Sequence, residues 1–174
     1  MLNTKYRIGR LISYGIVAWL LCVLQNTPGL FAIAGIKPML VVPFAVSVAL
    51  YQKETVGGIF GMFAGLLCDF FSTYTFGYYA MALLFFCTVA GMVAQGYMRT
   101  SAMNATIFTF ATILFIQLVG FFFTILLWSD SSAWTYFLQK ILPMCLYTAV
   151  TTIPIYWFTG LLYDFWQKKI DSVR

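Results

Sequence analysis

A ridge of glycines inside an apolar segment is the feature that most restricts how this chain folds. Residues 55–77 read TVGGIFGMFAGLLCDFFSTYTFG, in which Gly57, Gly61 and Gly65 recur every four residues and Asp69 occupies the next step. Residues four apart share one face of a helix, and small residues there let a second helix approach closely in lipid. A carboxylate inside a membrane is costly unless it is paired or hydrated. We therefore expect a helix that is buried against protein.

The rest of the chain is similarly apolar. Of its 174 residues, 62% are hydrophobic, 20% are aromatic and only 9% are charged, with no histidine. Soluble domains carry roughly 25% charged residues, so this composition indicates an integral membrane protein. The basic start and the apolar run at 11–24 resemble a signal peptide, but no A-x-A-like cleavage site follows. We interpret the run as a retained first span of a single domain, residues 1–174.

Six apolar segments approach the roughly 20 residues that a helix needs to cross a bilayer. They cover residues 8–24, 36–51, 55–71, 77–98, 105–128 and 137–163. A transmembrane β-barrel would alternate polar and apolar residues, whereas these segments are solidly apolar. The sequence therefore predicts an all-α protein, a polytopic bundle of six transmembrane helices.

The basic residues predict the orientation of this bundle. With a cytoplasmic N-terminus, only Lys37 and Lys140 of the ten basic residues lie outside, and the inside ends hold the others: Lys5, Arg7, Arg10, Lys53, Arg99, Lys168, Lys169 and Arg174. The positive-inside rule then places both termini in the cytoplasm. Orientation and attraction to anionic lipid account for the net charge of +5, and we expect no nucleic-acid partner.

Asp69 and the three ridge glycines are the first candidates for a role in packing or binding. Asp69 has two interpretations, a buried polar contact with a partner helix or ligand, and a carboxylate that reaches headgroup water. The glycine ridge likewise serves either packing within the chain or an interface with another protein.

The second and fifth segments hold the remaining polar and proline candidates. Lys37 and Pro38 open the second segment, and Pro43 interrupts it. Short, proline-broken spans are found at binding sites in transport proteins. Alternatively, Pro38 occupies a first turn, where its missing donor costs nothing, and Pro43 only bends the helix. Gln117 lies near the middle of the fifth segment, where we expect it to hydrogen-bond between helices.

No catalytic or metal-binding pattern is visible. The acidic residues are few and scattered, at Glu54, Asp69, Asp130, Asp164 and Asp171. No nucleophile elbow, phosphate loop or zinc-protease motif occurs. The cysteines lie in apolar stretches without metal-ligand spacing and are interpreted as small core residues: Cys22, Cys68, Cys87 and Cys145. We expect a protein without catalytic residues, metal or cofactor.

Several short motifs resemble the MreD family of bacterial rod shape-determining membrane proteins. They are Leu24-Gln25, Lys37-Pro38 before an apolar span, the turn Gln52-Lys53-Glu54, the glycine ridge through Asp69, and Phe76-Gly77. Length and span number agree as well. Members often carry an acidic residue after the proline that opens the second span, whereas this chain has Met39.

The resemblance implies a non-enzymatic scaffold in the bacterial cytoplasmic (inner) membrane. MreD-like proteins belong to the cell-elongation complex, which makes peptidoglycan. They associate with the single-span protein MreC and, through that complex, with MreB, RodA and its transpeptidase partner. Asp69, Gly77 and the glycine ridge would form part of the packed core or of the surface for MreC.

The alternative is a substrate-binding S component of an energy-coupling-factor vitamin transporter, which is also a six-span protein of this size. A similar fold for the two families is a further expectation. An S component needs a pocket that opens outward and is lined by several polar groups. The candidates would be Gln25, Asn26, Lys37, Asp69, Thr73, Thr75 and Lys140.

Overall fold

The protein is a bundle of α-helices. The computed structural model describes residues 2–27 (2–7 for the backbone alone), 37–72, 75–96, 100–123 and 137–171. Six α-helices lie in these ranges: α1 (Leu2–Asn26), α2 (Val41–Tyr51), α3 (Glu54–Asp69), α4 (Tyr78–Gly96), α5 (Ala102–Phe121) and α6 (Leu142–Asp171), the last preceded by a π-helical turn at Phe137–Ile141. No strand occurs in the described ranges. The prediction of an all-α protein is confirmed.

Four helices in the described part of the chain are long and apolar enough to cross a membrane. They are α1 over Ile8–Asn26, α4, α5, and the continuous helix Phe137–Asp171. Helices α2 and α3 are shorter, with 11 and 16 residues. The architecture is that of a helical membrane bundle, in which two of the six apolar segments form helices below the usual crossing length.

The start of α2 differs from the expected start of the second segment. The helix begins at Val41, and Pro43 therefore occupies its first turn, where no backbone donor is needed. Pro38 is buried in the extended stretch before the helix, so neither proline interrupts the helix interior. At the other extreme, α6 continues to Asp171, well past residue 163. Residues 36, 97–98 and 124–128 of the expected spans lie outside the described residues.

Helix α2 occupies the centre of the bundle. Every residue from Val41 to Leu50 is buried, and α2 contacts all five other helices. Three rings hold α1, α2 and α3 together here, because Tyr14, Phe44 and Phe60 meet edge to face with centroids 5.9–6.3 Å apart. At a rise of 1.5 Å per residue, α2 is about 16 Å long, roughly half the thickness of the hydrocarbon layer.

The two ends of α2 define two ends of the bundle. The N-terminus of α2 lies next to the C-terminus of α3, and we call this end of the bundle the Asp69 end. The C-terminus of α2 lies next to the part of α1 that contains Arg10, and we call this end of the bundle the Arg10 end. On the orientation expected from the basic residues, the Arg10 end faces the cytoplasm.

Candidate functional site

The glycine ridge is occupied by contacts within the chain. A Cβ atom built on Gly65 would lie 2.5 Å from the Cα of Ala80, and one on Gly61 would lie 2.7 Å from the carbonyl oxygen of Leu83. A Cβ on Gly57 would lie 2.8 Å from the Cα of Ala49 in α2. Backbone therefore meets backbone along this face, and α3 with α4 forms the most extensive helix pair of the described residues.

Asp69 joins the end of α3 to the start of α4. The side chain is 4% exposed, and its two carboxylate oxygens accept hydrogen bonds from the backbone N–H groups of Tyr79 (3.0 Å) and Ala80 (3.1 Å). The first N–H groups of a helix have no partner inside the helix, and the positive end of the helix dipole favours a negative charge. Asp69 therefore caps α4.

Gly77 makes the turn into α4 possible. Its φ angle is +95°, in the left-handed region that residues with a Cβ atom rarely adopt. A Cβ there would meet no atom within 4 Å, so the requirement for glycine is conformational. The turn brings the first N–H groups of α4 over the carboxylate of Asp69.

Gln25 caps the N-terminus of α2, as Asp69 caps that of α4. Its Oε1 atom accepts hydrogen bonds from the backbone N–H groups of Leu40 (2.8 Å) and Val41 (3.3 Å). The N–H of Met39 donates to the Oγ1 of Thr148 in α6 at 3.2 Å. Two helix N-termini at the Asp69 end are thus capped by side chains from neighbouring helices, and Lys37 beside them is exposed.

A small polar cavity lies between these caps. It has a volume of about 200 Å³ and is lined by Gln25, Asn26, Met39, Cys68, Phe71, Ser72 and Tyr79. Of the polar set proposed for an outward pocket, only Gln25 and Asn26 line it. Thr75 lines a separate cavity with Tyr78, Gly120 and Phe123, and Thr73 lies outside the described residues. Pockets for small ligands usually measure about 300–1,000 Å³, so this cavity is small for a vitamin.

Gln117 connects α5 to α6. The residue is 8% exposed, and its Nε2 atom donates to the sulfur of Met144 at 3.3 Å. Its Oε1 atom is buried and has no hydrogen-bond partner among the described residues. The contact is a weak polar link between two helices.

A cluster at the Arg10 end was not predicted from the sequence. The guanidinium of Arg10 donates to the Oε1 of Gln52 at 3.0 Å and to the Oε1 of Gln167 at 3.4 Å. It also lies 5.4 Å from the ring centroid of Tyr163. Both glutamines precede a lysine at the end of an apolar segment. The repeated Gln-Lys pair was the sequence signal for this cluster, although it does not reveal that both glutamines contact Arg10.

Helix α1 leaves an open apolar groove along α3. One cavity of about 460 Å³ is lined by Ile8, Leu11, Ile12, Gly15, Val56, Ile59, Phe60 and Phe63. A second, of about 430 Å³, continues it toward the Asp69 end and is lined by Trp19, Cys22, Val23, Leu67, Phe70 and Phe71. Both cavities lie between the same two helices. We call them together the α1–α3 groove.

The four cysteines are buried and unpaired, one each in α1, α3, α4 and α6. Within the described ranges, no three histidine, cysteine, aspartate or glutamate residues come together in a way that could hold a metal ion. The described geometry thus consists of helix caps, a packed glycine face, a charged cluster and a groove.

Comparison with known proteins identifies the family. The family model described as rod shape-determining protein MreD matches residues 5–166. No curated protein and no solved structure matches the chain. Because the matched region covers nearly the whole sequence, the resemblance to this family is confirmed, and the chain belongs to the MreD family of rod shape-determining proteins.

Proposed function

We propose that this protein is a non-enzymatic scaffold of the bacterial cell-elongation complex, which it supports in peptidoglycan synthesis. Membership of the MreD family carries this proposal, because the matched family determines rod shape. The four helices that are able to cross a membrane suit such a role. In the proposed topology α2 and α3 complete six crossings of the inner membrane, with both termini in the cytoplasm.

The proposed partner is the single-span protein MreC, and through it MreB, RodA and the transpeptidase. The glycine ridge is an unsuitable surface for this contact, because α2 and α4 already cover it. A partner helix must therefore bind another side of the bundle. The α1–α3 groove is the surface that we assign to it.

The length of the groove supports one transmembrane helix as its occupant. Its first cavity is lined by residues 8–15 of α1 and its second by residues 19–23. A lipid acyl chain extends through about half of the ~30 Å hydrocarbon layer, whereas a helix of about 20 residues extends through all of it. Gly15 in the groove has no atom within 4 Å of its Cβ position, which allows a partner backbone to approach closely.

The S-component alternative, including a fold similar to S components, remains a proposal with weaker support. Asp69 and the Oε1 atom of Gln25 are already committed to capping helices. The cavity between them is about 200 Å³. A vitamin site would need more space and more uncommitted polar groups.

The test is affinity purification from native membranes in mild detergent, followed by mass spectrometry of the proteins that accompany the chain. Recovery of MreC, RodA and the transpeptidase supports the scaffold. Recovery of transporter ATPases with their membrane coupling subunit would replace it with the S-component function.

Site-specific photo-crosslinking then tests the groove separately. A photoreactive residue at Ile59 lies in the groove, and one at Val150 on α6 is the matched control, since both side chains are exposed (58% and 65%). We expect crosslinks to MreC from position 59 and none from position 150. If MreC co-purifies but crosslinks only from position 150, the proposed scaffold function is supported, and the groove is not the surface that binds MreC.

A further inference from the structure

Arg10 carries a positive charge in a crevice between three helices. Its guanidinium lies between α1, the C-terminus of α2 and the last turns of α6, where it contacts Gln52, Gln167 and the ring of Tyr163. Its Nε atom is buried and has no hydrogen-bond partner among the described residues. A guanidinium has five N–H donors, and two glutamine oxygens do not satisfy them all.

No described carboxylate forms an ion pair with this guanidinium. Glu54, Asp164 and Asp171 are the acidic residues described at this end, and none lies within the 4.0 Å that defines a salt bridge to Arg10. The nearest indirect link runs through Gln167, whose Nε2 atom donates to Asp171 at 3.4 Å. Burying a charge is costly unless an opposite charge compensates for it. Among the described side chains, the guanidinium thus contacts neutral glutamines and an aromatic ring, and no anion.

The surroundings place Arg10 at the depth of lipid headgroups. Tyr51 stacks between Tyr156 and Tyr163 with centroids 5.2 Å away on each side, and Trp166 packs against Gly9. Tyrosine and tryptophan favour the interface between hydrocarbon and water. Just beyond these rings α6 carries the exposed Lys168 and Lys169, and the exposed Lys53 follows the buried Gln52. Lysines therefore flank the crevice, together with the three carboxylates named above.

We propose that Arg10 is the centre of a binding site for a phosphate group, supplied by an anionic phospholipid of the leaflet at the Arg10 end. The planar guanidinium matches the geometry of phosphate oxygens and forms strong charge-assisted hydrogen bonds with them. Basic crevices between membrane helices on the cytoplasmic side commonly bind such headgroups. The lipid supplies the anion that the described side chains do not. This site is independent of the groove and of the proposed scaffold role.

The test is lipid binding to the purified full-length protein, measured by native mass spectrometry with added phosphatidylglycerol or phosphatidylcholine of the same chain length. We expect wild type to bind phosphatidylglycerol at least about tenfold more tightly, as a charge-assisted bond allows. Arg10→Met should remove this preference, and Lys37→Met, an exposed control at the Asp69 end, should retain it. Arg10→Lys should retain only part of it, because the fork of donors is lost.

Three results would overturn the assignment. Equal binding of the two lipids by wild type would remove the site. An unchanged preference in Arg10→Met would show that Arg10 does not form the site. If the methionine variant does not purify as a single species, an unchanged preference in Arg10→Lys would show the same. Inorganic phosphate that displaces phosphatidylglycerol at millimolar concentration would identify a soluble anion as the ligand.

Discussion

Helix α3 has two neighbours that it meets in opposite ways. Toward α4 it presents glycines, and a Cβ on Gly65 would come within 2.5 Å of the backbone of Ala80. Toward α1 it presents Val56, Ile59 and Phe63, and the two helices leave a cavity of about 460 Å³ between them. The α3–α4 contact, which we call the closed seam, leaves no space between the helices, whereas the α1–α3 contact, the open seam, contains the groove.

This difference shows that residue size determines which face of a membrane helix packs tightly against a neighbouring helix. Lipid provides no hydrophobic force between helices, so helices adhere where small residues let their surfaces fit closely. Large side chains facing each other hold the backbones apart and leave space that another apolar group must fill. The closed seam is thus part of the fold, and the open one is available to a partner.

Gly65→Leu should have the largest effect on folding of any single substitution along these two seams. The new side chain would meet the backbone of α4, which cannot move aside as a side chain can, so we expect a loss of about 3 kcal/mol or more of folding free energy. Gly61→Leu should behave similarly. Unfolding in mixed detergent micelles, followed by tryptophan fluorescence, measures the change. If both variants fold like wild type and still bind the proposed partner MreC, close packing of α3 against α4 has no special importance.

Asp69→Leu should rank next, with a loss of about 2–3 kcal/mol, because two buried N–H groups lose a charged acceptor. Asp69→Asn keeps one acceptor oxygen, and we expect a smaller loss of about 1 kcal/mol. The same unfolding measurement compares the pair. Equal losses in the two variants would show that the negative charge at the start of α4 is decisive, and that hydrogen bonding is secondary.

Gln25→Leu should cost about 1–2 kcal/mol, because it removes the acceptor for the N–H groups of Leu40 and Val41 at the start of α2. Gln25→Glu is the matched control, since it retains an acceptor oxygen at the same place. Hydrogen exchange of the α2 amides provides the local readout. Faster exchange confined to α2 is expected, and exchange unchanged in the leucine variant would contradict the capping role.

Gly15→Leu should have the smallest effect on folding, within about 0.5 kcal/mol, because nothing lies within 4 Å of its Cβ position. It is therefore the control for Gly65→Leu on the open side of α3. Its expected effect is on partner binding, as a leucine there fills the α1–α3 groove. Recovery of MreC at the wild-type level would argue against the groove as the binding surface.

The helices were largely predictable, because they depend on local apolar length. The segment at 77–98 corresponds to α4, and the segment at 8–24 lies within α1. The start of α2 was less predictable, since the sequence suggests Pro38 for the first turn, whereas Pro43 occupies it. The family resemblance is also visible in the motifs, and the family match confirms it.

The partners of the polar residues could not be predicted from one sequence. Asp69 accepts hydrogen bonds from backbone ten and eleven positions further on, in a different helix, and Arg10 meets a glutamine 157 positions away. Hydropathy places side chains at a membrane depth but does not determine which helices are adjacent. The groove was equally hidden, because it results from a space between helices and not from a pattern within one.

The short central helix α2 has a consequence for biogenesis. Eleven residues are too few to enter the bilayer as an independent span, and only Gln52 and Lys53 separate α2 from α3. In the proposed six-span topology, the two helices therefore insert as one hairpin. Because α2 has no face toward lipid in the finished bundle, its final environment exists only after α5 and α6 have been synthesised. Chains truncated before α5 should consequently be substrates for membrane quality control.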